Sequence, residues 1–249
     1  LAAAALSMGQ GLLTLEQTVE AWYEGLKSML FAMIILGAVL PTLMLAVGLA
    51  AGWYRITGFF VSELSFVYAF TAVVVLFVSV GVYEEVLVRG WLLTNVAEGL
   101  GFVGERTAVA VGVFLTSALF GVLHLPNPGA SLASAAVITL AGFFLALGYV
   151  VTGELAVPIG IHITWNLFKG SVYGVGVSGL RLPVTVVETE AVGPEYVTGG
   201  DFGPEAGLLG AGAVVVGSAA ILWWVRWKGG ETRIHESLTT PDLRFDSEG

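Results

Sequence analysis

Six nearly unbroken apolar runs, each close to the length of a membrane crossing, constrain this chain more than any other feature. They are Met29–Ala51, Ser65–Val82, Thr107–Leu123, Ser131–Val151, Leu155–Val175 and Ala206–Val225. About 20 apolar residues in a helix span the ~30 Å hydrocarbon core of a bilayer. A helix also satisfies its own backbone groups where no water is present. The runs therefore predict an all-α, polytopic transmembrane helical bundle. Composition agrees: only 12% of the 249 residues are charged, against about 25% in soluble domains. That is too little charge to cover a water-facing surface, which excludes a soluble enzyme and a disordered tail. A net charge of −9 with no basic cluster leaves no footprint for nucleic acid. The absence of cysteine removes disulfides, thiolate-bound zinc, iron–sulfur clusters and a cysteine nucleophile.

Punctuation by Gly and Pro places turns at 99–105, 125–129 and 151–154. The second helix does not stop at Val82, because EEVLVRGWLLTNVAEGL continues with helix formers; Gly81 offers it a place to kink. With no internal repeat and no linker, residues 1–249 read as one integral-membrane domain, with a motif-bearing core over 65–225 and a polar tail over 226–249. The opening LAAAALSMGQGLL reads as the end of a lost helix or a processed leader; it lacks a signal peptide's basic flank and is assigned no element. Lys27, Arg106, Arg226, Lys228 and Arg233 outnumber Arg55 and Arg181, which puts both ends of the chain on the cytoplasmic side. Trp223, Trp224 and Trp227 read as an interfacial anchor. The acidic stretch 179–205 reads as a solvated loop, with a lid over an internal cavity as the alternative. Scarce lysine and acidic loops point to the cell membrane of a prokaryote.

Ionisable residues inside apolar runs are costly and mark functional sites by default. Glu84, Glu85 and Arg89 lie in the second helix, His124 closes the third, and His162 and Asn166 lie in the fifth. Glu85 and Arg89 are four apart and share a face, so they can brace each other. Glu84 points about 100° away and lacks that partner, which makes it the working carboxylate. Phe120 and His124, and likewise His162 and Asn166, share the four-residue interval. Helix arithmetic brings these groups to one depth. Glu84 to Leu100 is about 24 Å of helix and Thr107 to His124 about 25 Å back. Leu155 to Asn166 climbs about 16 Å, a shortfall within the slack of helix tilt.

A carboxylate, two imidazoles and a carboxamide support hydrolysis by an activated water. Glu84 serves as general base, and Asn166 with one histidine donates to the oxyanion. The other histidine positions the water or protonates the leaving amine. Zinc is the competing chemistry, since Glu84, His124 and His162 match a catalytic site in count and donor type. Asn166, a weak ligand but a good donor, favours the metal-free route with no cofactor.

These residues also form three ordered motifs: E-E-x-x-x-R at 84–89, F-x-x-x-H at 120–124 and H-x-x-x-N at 162–166. With them the chain resembles the CPBP family of intramembrane proteases, sometimes called the Abi family, which includes the Ras-converting CAAX prenyl endopeptidases. The segment GPEYVTGGDFGPEAGLLG (193–210) is similar to the stretch before the last helix in prokaryotic members. The resemblance covers about 65–225. It implies an endopeptidase with Glu84 as the water-activating base, His124, His162 and Asn166 completing the site, and a peptide or protein substrate in the bilayer, lipidated in the eukaryotic relatives. It also implies about eight helices, so six point to an N-terminal truncation or a shorter variant. A non-catalytic scaffold or immunity protein is the alternative within the wider family. Proton or ion transport fits less well, because no inverted repeat accompanies the polar cluster.

Overall fold

The computed structural model describes residues 14–235 and Leu238. The opening segment 1–13 and most of the tail lie outside the described residues. Helix α1 (Leu15–Ala32) passes through a π-helical turn at Met33–Ala38 into α2 (Val39–Ala50). Strand β1 (Tyr54–Ser62) follows. Helix α3 (Phe66–Glu85), a π-helical segment (Val86–Leu93) and α4 (Thr94–Gly99) make one continuous rod of 34 residues. Then come α5 (Glu105–Leu123), α6 (Leu132–Thr152) and α7 (Ala156–Leu167), the last ending in a π-helical turn at Phe168–Val172. Strand β2 (Val184–Ala191), the short α8 (Glu195–Thr198) and α9 (Leu208–Trp227) complete the order.

Four of the described helical stretches are long and apolar enough to cross a membrane: Phe66–Gly99, Glu105–Leu123, Leu132–Thr152 and Leu208–Trp227. The all-α polytopic expectation is thereby met. Two of the six apolar runs take a different form. In the first, Leu36–Ala50 is a shorter apolar helix. In the fifth, α7 and its π turn are enclosed by the rest of the bundle.

The turns form where Gly and Ser punctuate the sequence. Ser131 caps α6 through a reciprocal pair with Ser134, whose amide donates to Ser131 Oγ at 3.1 Å while Ser134 Oγ accepts from the Ser131 amide at 2.7 Å. Gly153 ends the same helix in the left-handed conformation, with φ 70° and its amide on Tyr149 O at 2.7 Å.

Helix α7 is the organising element. Val157, Pro158 and Gly160 through Asn166 are all buried, and a helix enclosed on every side belongs to the core. It packs against α1, α3 and α6, beside a cluster containing Leu36, Leu40, Phe144, Val214 and Ile221. Small residues allow this closeness. A Cβ on Gly81 would stand 2.6 Å from Ile163 Cγ1, and one on Gly142 would stand 3.0 Å from Ser117 Cα. Gly81 thus serves close packing against α7 rather than the expected kink; the departure from α-helical geometry comes later, at Val86–Leu93.

The antiparallel pair β1–β2 has no counterpart in the sequence reading. Tyr54 faces Ala191 and Ser62 faces Val184, with an irregularity between Ile56 and Gly58. The β-branched alternation of TVVETE was the available signal. Strand β2 occupies part of the acidic stretch read as a solvated loop. That stretch also buries Val184, Val197, Phe202 and Glu205. Trp224 departs from the expected anchor: it is buried in the core, while Trp223 and Trp227 stay exposed and stack at 6.1 Å.

Candidate active site

A cavity of about 260 Å³ opens between the C-terminal half of α3, the end of α5, the middle of α6, and α7. Glu84, Phe120, His124, His162 and Asn166 all line it. The shared depth expected from helix arithmetic is the depth observed. Glu85 and Arg89 stand behind the wall.

The π-helical segment begins right after Glu85 and contains Arg89. An inserted residue of this kind widens the helix locally and recurs at functional sites. Both Glu85 and Arg89 are fully buried. Arg89 Nη1 donates to Glu85 Oε1 at 2.9 Å, and Nη2 donates to Gly142 O at 3.1 Å. The guanidinium carbon lies 4.5 Å from the Phe120 ring centroid. The brace expected between Glu85 and Arg89 is therefore present, and it extends to α5 and α6.

Glu85 does a second thing that spacing did not reveal. Its Oε1 also accepts from His162 Nδ1 at 2.7 Å. A carboxylate in an ion pair with arginine is an acceptor, so the proton sits on His162 Nδ1. His162 Nε2 is then left facing Glu84 Oε2 at 3.8 Å. The same logic fixes His124. Its Nδ1 lies 2.7 Å from the Phe120 carbonyl oxygen, which can only accept. With Nδ1 as the donor, Nε2 is the acceptor position of either ring whenever that ring is neutral. The Phe120 ring separates the two imidazoles, 4.8 Å from His124 and 6.1 Å from His162.

Glu84 differs from its neighbour. Tyr83 donates its hydroxyl to Glu84 Oε1 at 3.0 Å. Glu84 Oε2 is buried and has no hydrogen-bond partner among the described residues. Asn166, one turn beyond His162, is 7% exposed and borders the same cavity. By type, the histidines with their outer partners suit zinc. By position they do not: among the described residues no three His, Asp or Glu side chains are gathered closely enough to hold a metal ion.

Several cavity residues escaped the sequence reading. Asn127, Trp165, Ser178 and Glu205 line the wall. Lys169, fully buried in the π turn after α7, forms an ion pair with Glu205. A lone lysine inside the apolar run Leu155–Val175 was a readable signal for Lys169. Glu205 carried none, since it sat in a segment rich in acids. Burial alone would push the Glu205 carboxyl up. The Lys169 charge, with the Ser178 hydroxyl and amide, outweighs burial and holds it below the ordinary carboxylate range.

Residues 66–168 match the family model described as type II CAAX prenyl endopeptidase Rce1-like. No curated protein and no solved structure matches the chain. The matched segment runs from the start of α3 to the end of α7 and contains Glu84, Glu85, Arg89, Phe120, His124, His162 and Asn166. Lys169, Ser178 and Glu205 follow it. Four membrane-length apolar helices among the described residues, together with this match, make the chain a membrane protein whose segment 66–168 is similar to the Rce1-like CAAX-type proteases.

Proposed function

We propose that the protein is an intramembrane endopeptidase in which Glu84 activates the attacking water. The observation that carries this reading is the buried Glu84 Oε2, free of any hydrogen-bond partner among the described residues and 3.8 Å from His162 Nε2. Glu85 also keeps one oxygen, Oε2, without a partner, but its Oε1 is held by Arg89 and His162 and it does not line the cavity; Glu205 is held by Lys169 and Ser178. A general base must be free to take a proton.

Water held between Glu84 and an imidazole Nε2 gives one proton to the Glu84 carboxylate as its oxygen attacks the scissile carbonyl carbon. The C–O bond forms and the carbonyl oxygen becomes an oxyanion. The Asn166 carboxamide donates to that oxyanion through its NH₂, a role that does not depend on the protonation of either imidazole. Collapse of the intermediate breaks the C–N bond. The proton held on Glu84 passes to the departing amine, and the other product leaves as a carboxylic acid. Glu85 orients His162 and Arg89 neutralises Glu85; neither touches the substrate.

The substrate in this reading is a membrane-associated peptide or protein. The family implies a lipidated C-terminal segment as the first one to try. The decisive experiment compares the purified chain and Glu84→Gln on a prenylated CAAX peptide, with and without a chelator. The carboxamide keeps the side chain's shape but cannot take the proton. Cleavage by E84Q is expected to fall about 10²–10⁴-fold, the range of a general base, with folding unchanged and no effect of chelator on the parent. Undiminished cleavage by E84Q removes Glu84 from the chemistry. Loss of activity with chelator assigns the site to a metal instead. A biological effect that survives E84Q identifies a scaffold.

A further inference from the structure

Part of the cavity wall carries a second buried polar system that the reaction above does not use. Its centre is Glu205, at the turn before α9. Glu205 Oε1 forms the ion pair with Lys169, three residues beyond Asn166, and accepts from Trp165 Nε1 at 3.4 Å. Glu205 Oε2 accepts from the Ser178 amide at 2.7 Å and the Ser178 hydroxyl at 2.8 Å. Ser178 has φ +48°, a left-handed conformation that is strained for a non-glycine residue and persists only where its surroundings impose it. Beyond Ser178 the chain of contacts continues. Asn127 Nδ2 donates to Ser178 O at 3.0 Å, and the Asn127 amide donates to His124 O at 3.1 Å.

We propose that Glu205 is a positioning residue. Its carboxylate locks the Ser178 turn to the helix bearing His162 and Asn166, and through Asn127 sets where His124 stands across the cavity. This rests on the reading of the cavity as a peptidase site. Fold stability alone does not explain the arrangement, because a buried ion pair is weak evidence of stabilisation and an apolar pair of similar volume often serves as well. What an apolar pair cannot do is hold the Ser178 amide and hydroxyl. The network joins the two halves of the site, which come from elements far apart in sequence. A displacement of about 1 Å at a reacting group can cost about a hundredfold in rate, so a span of this kind bears on turnover rather than on substrate affinity.

The chain contains three histidines, His124, His162 and His235, so ring ¹H–¹⁵N signals provide a readout apart from activity. Three variants are compared with the parent in detergent: E205Q, N127A and the double variant K169M/E205L. In all three the His124 ring signals are expected to move, while His235 serves as the control that stays. On a cleavable peptide, kcat is expected to fall about tenfold to a hundredfold with KM within about threefold. Where E205Q fails to fold, because Lys169 is left buried without a counter-charge, N127A and the double variant carry the test. N127A leaves the ion pair intact, and the double variant replaces it whole. Unmoved His124 signals in folded variants overturn the proposal. So does a double variant whose kcat lies within threefold of the parent. If the parent cleaves no peptide, the peptidase reading fails while the histidine signals still decide the positioning.

Discussion

Arg89 shows how much one buried residue can be asked to hold. Its guanidinium meets Glu85, the Gly142 carbonyl and the Phe120 ring at once. Replacing it by Met keeps most of the volume and removes the charge. Glu85 is then buried without its cation, a change worth about 3–5 kcal/mol in comparable pairs. R89M is expected to lower the thermal midpoint in detergent by several degrees and to lose cleavage with it, measured by unfolding on the purified protein. A midpoint equal to the parent's would show that Glu85 is neutral. At this scale the sequence was informative where partners are four residues apart. Glu85–Arg89, Phe120–His124 and His162–Asn166 all follow from helical spacing. Glu85 with His162, and Glu205 with Lys169 or Ser178, join residues on separate elements, and no local periodicity encodes such pairs.

Elements in this protein meet through small residues rather than interlocking large ones. Gly142 lets α6 close on α5 at Ser117, and its carbonyl is also the acceptor for Arg89. A valine there must push the α5 backbone away, and overpacking of this kind costs about 1–3 kcal/mol. G142V is accordingly expected to lower stability and to lengthen the Arg89 contact. A reduced thermal midpoint in detergent, with activity reduced by more than the loss of folded protein explains, would bear this out. An unchanged midpoint would show that α5 gives way freely. Helix existence and the main turns were legible from apolar runs and from Gly and Pro. The π-helical stretches at Val86–Leu93 and Phe168–Val172 were not, because a 3.6-residue period assumes a regular helix. The strand pair was half legible: its alternation is visible in TVVETE, but its partner YRITGFFVS lies far away in the chain and mixes with apolar runs.

At the scale of the whole molecule, the depth of the site follows from simple lengths. Counting 1.5 Å per residue from the turns on one side brought Glu84, His124 and, within the slack of helix tilt, Asn166 to one level, and all three line one cavity. The layer formed by the β1–β2 pair and residues 193–206 could not be read this way, since it owes its place to burial against α2, α3 and α9 rather than to any spanning length.

The lengths of the helices carry one more consequence. The rod from Phe66 to Gly99 has 34 residues, whereas the other three membrane-length stretches have 19, 21 and 20. At the usual rise it is about 51 Å long beside neighbours of about 30 Å. Its early turns expose Val67, Tyr68 and Val75, side chains that favour hydrocarbon over water. The bilayer must therefore meet this helix at a slant or swell along one flank. Where the bilayer swells rather than the helix slanting, the lipid collar is thicker on the α3 side than on the α5 side, the two flanks between which the cavity lies. Turnover should depend on acyl-chain length: vesicles of short-chain lipid, which cannot cover the rod, are expected to slow cleavage relative to long-chain vesicles of the same headgroup. Equal rates across chain lengths would mean that the rod lies flat enough for an ordinary bilayer to accommodate it.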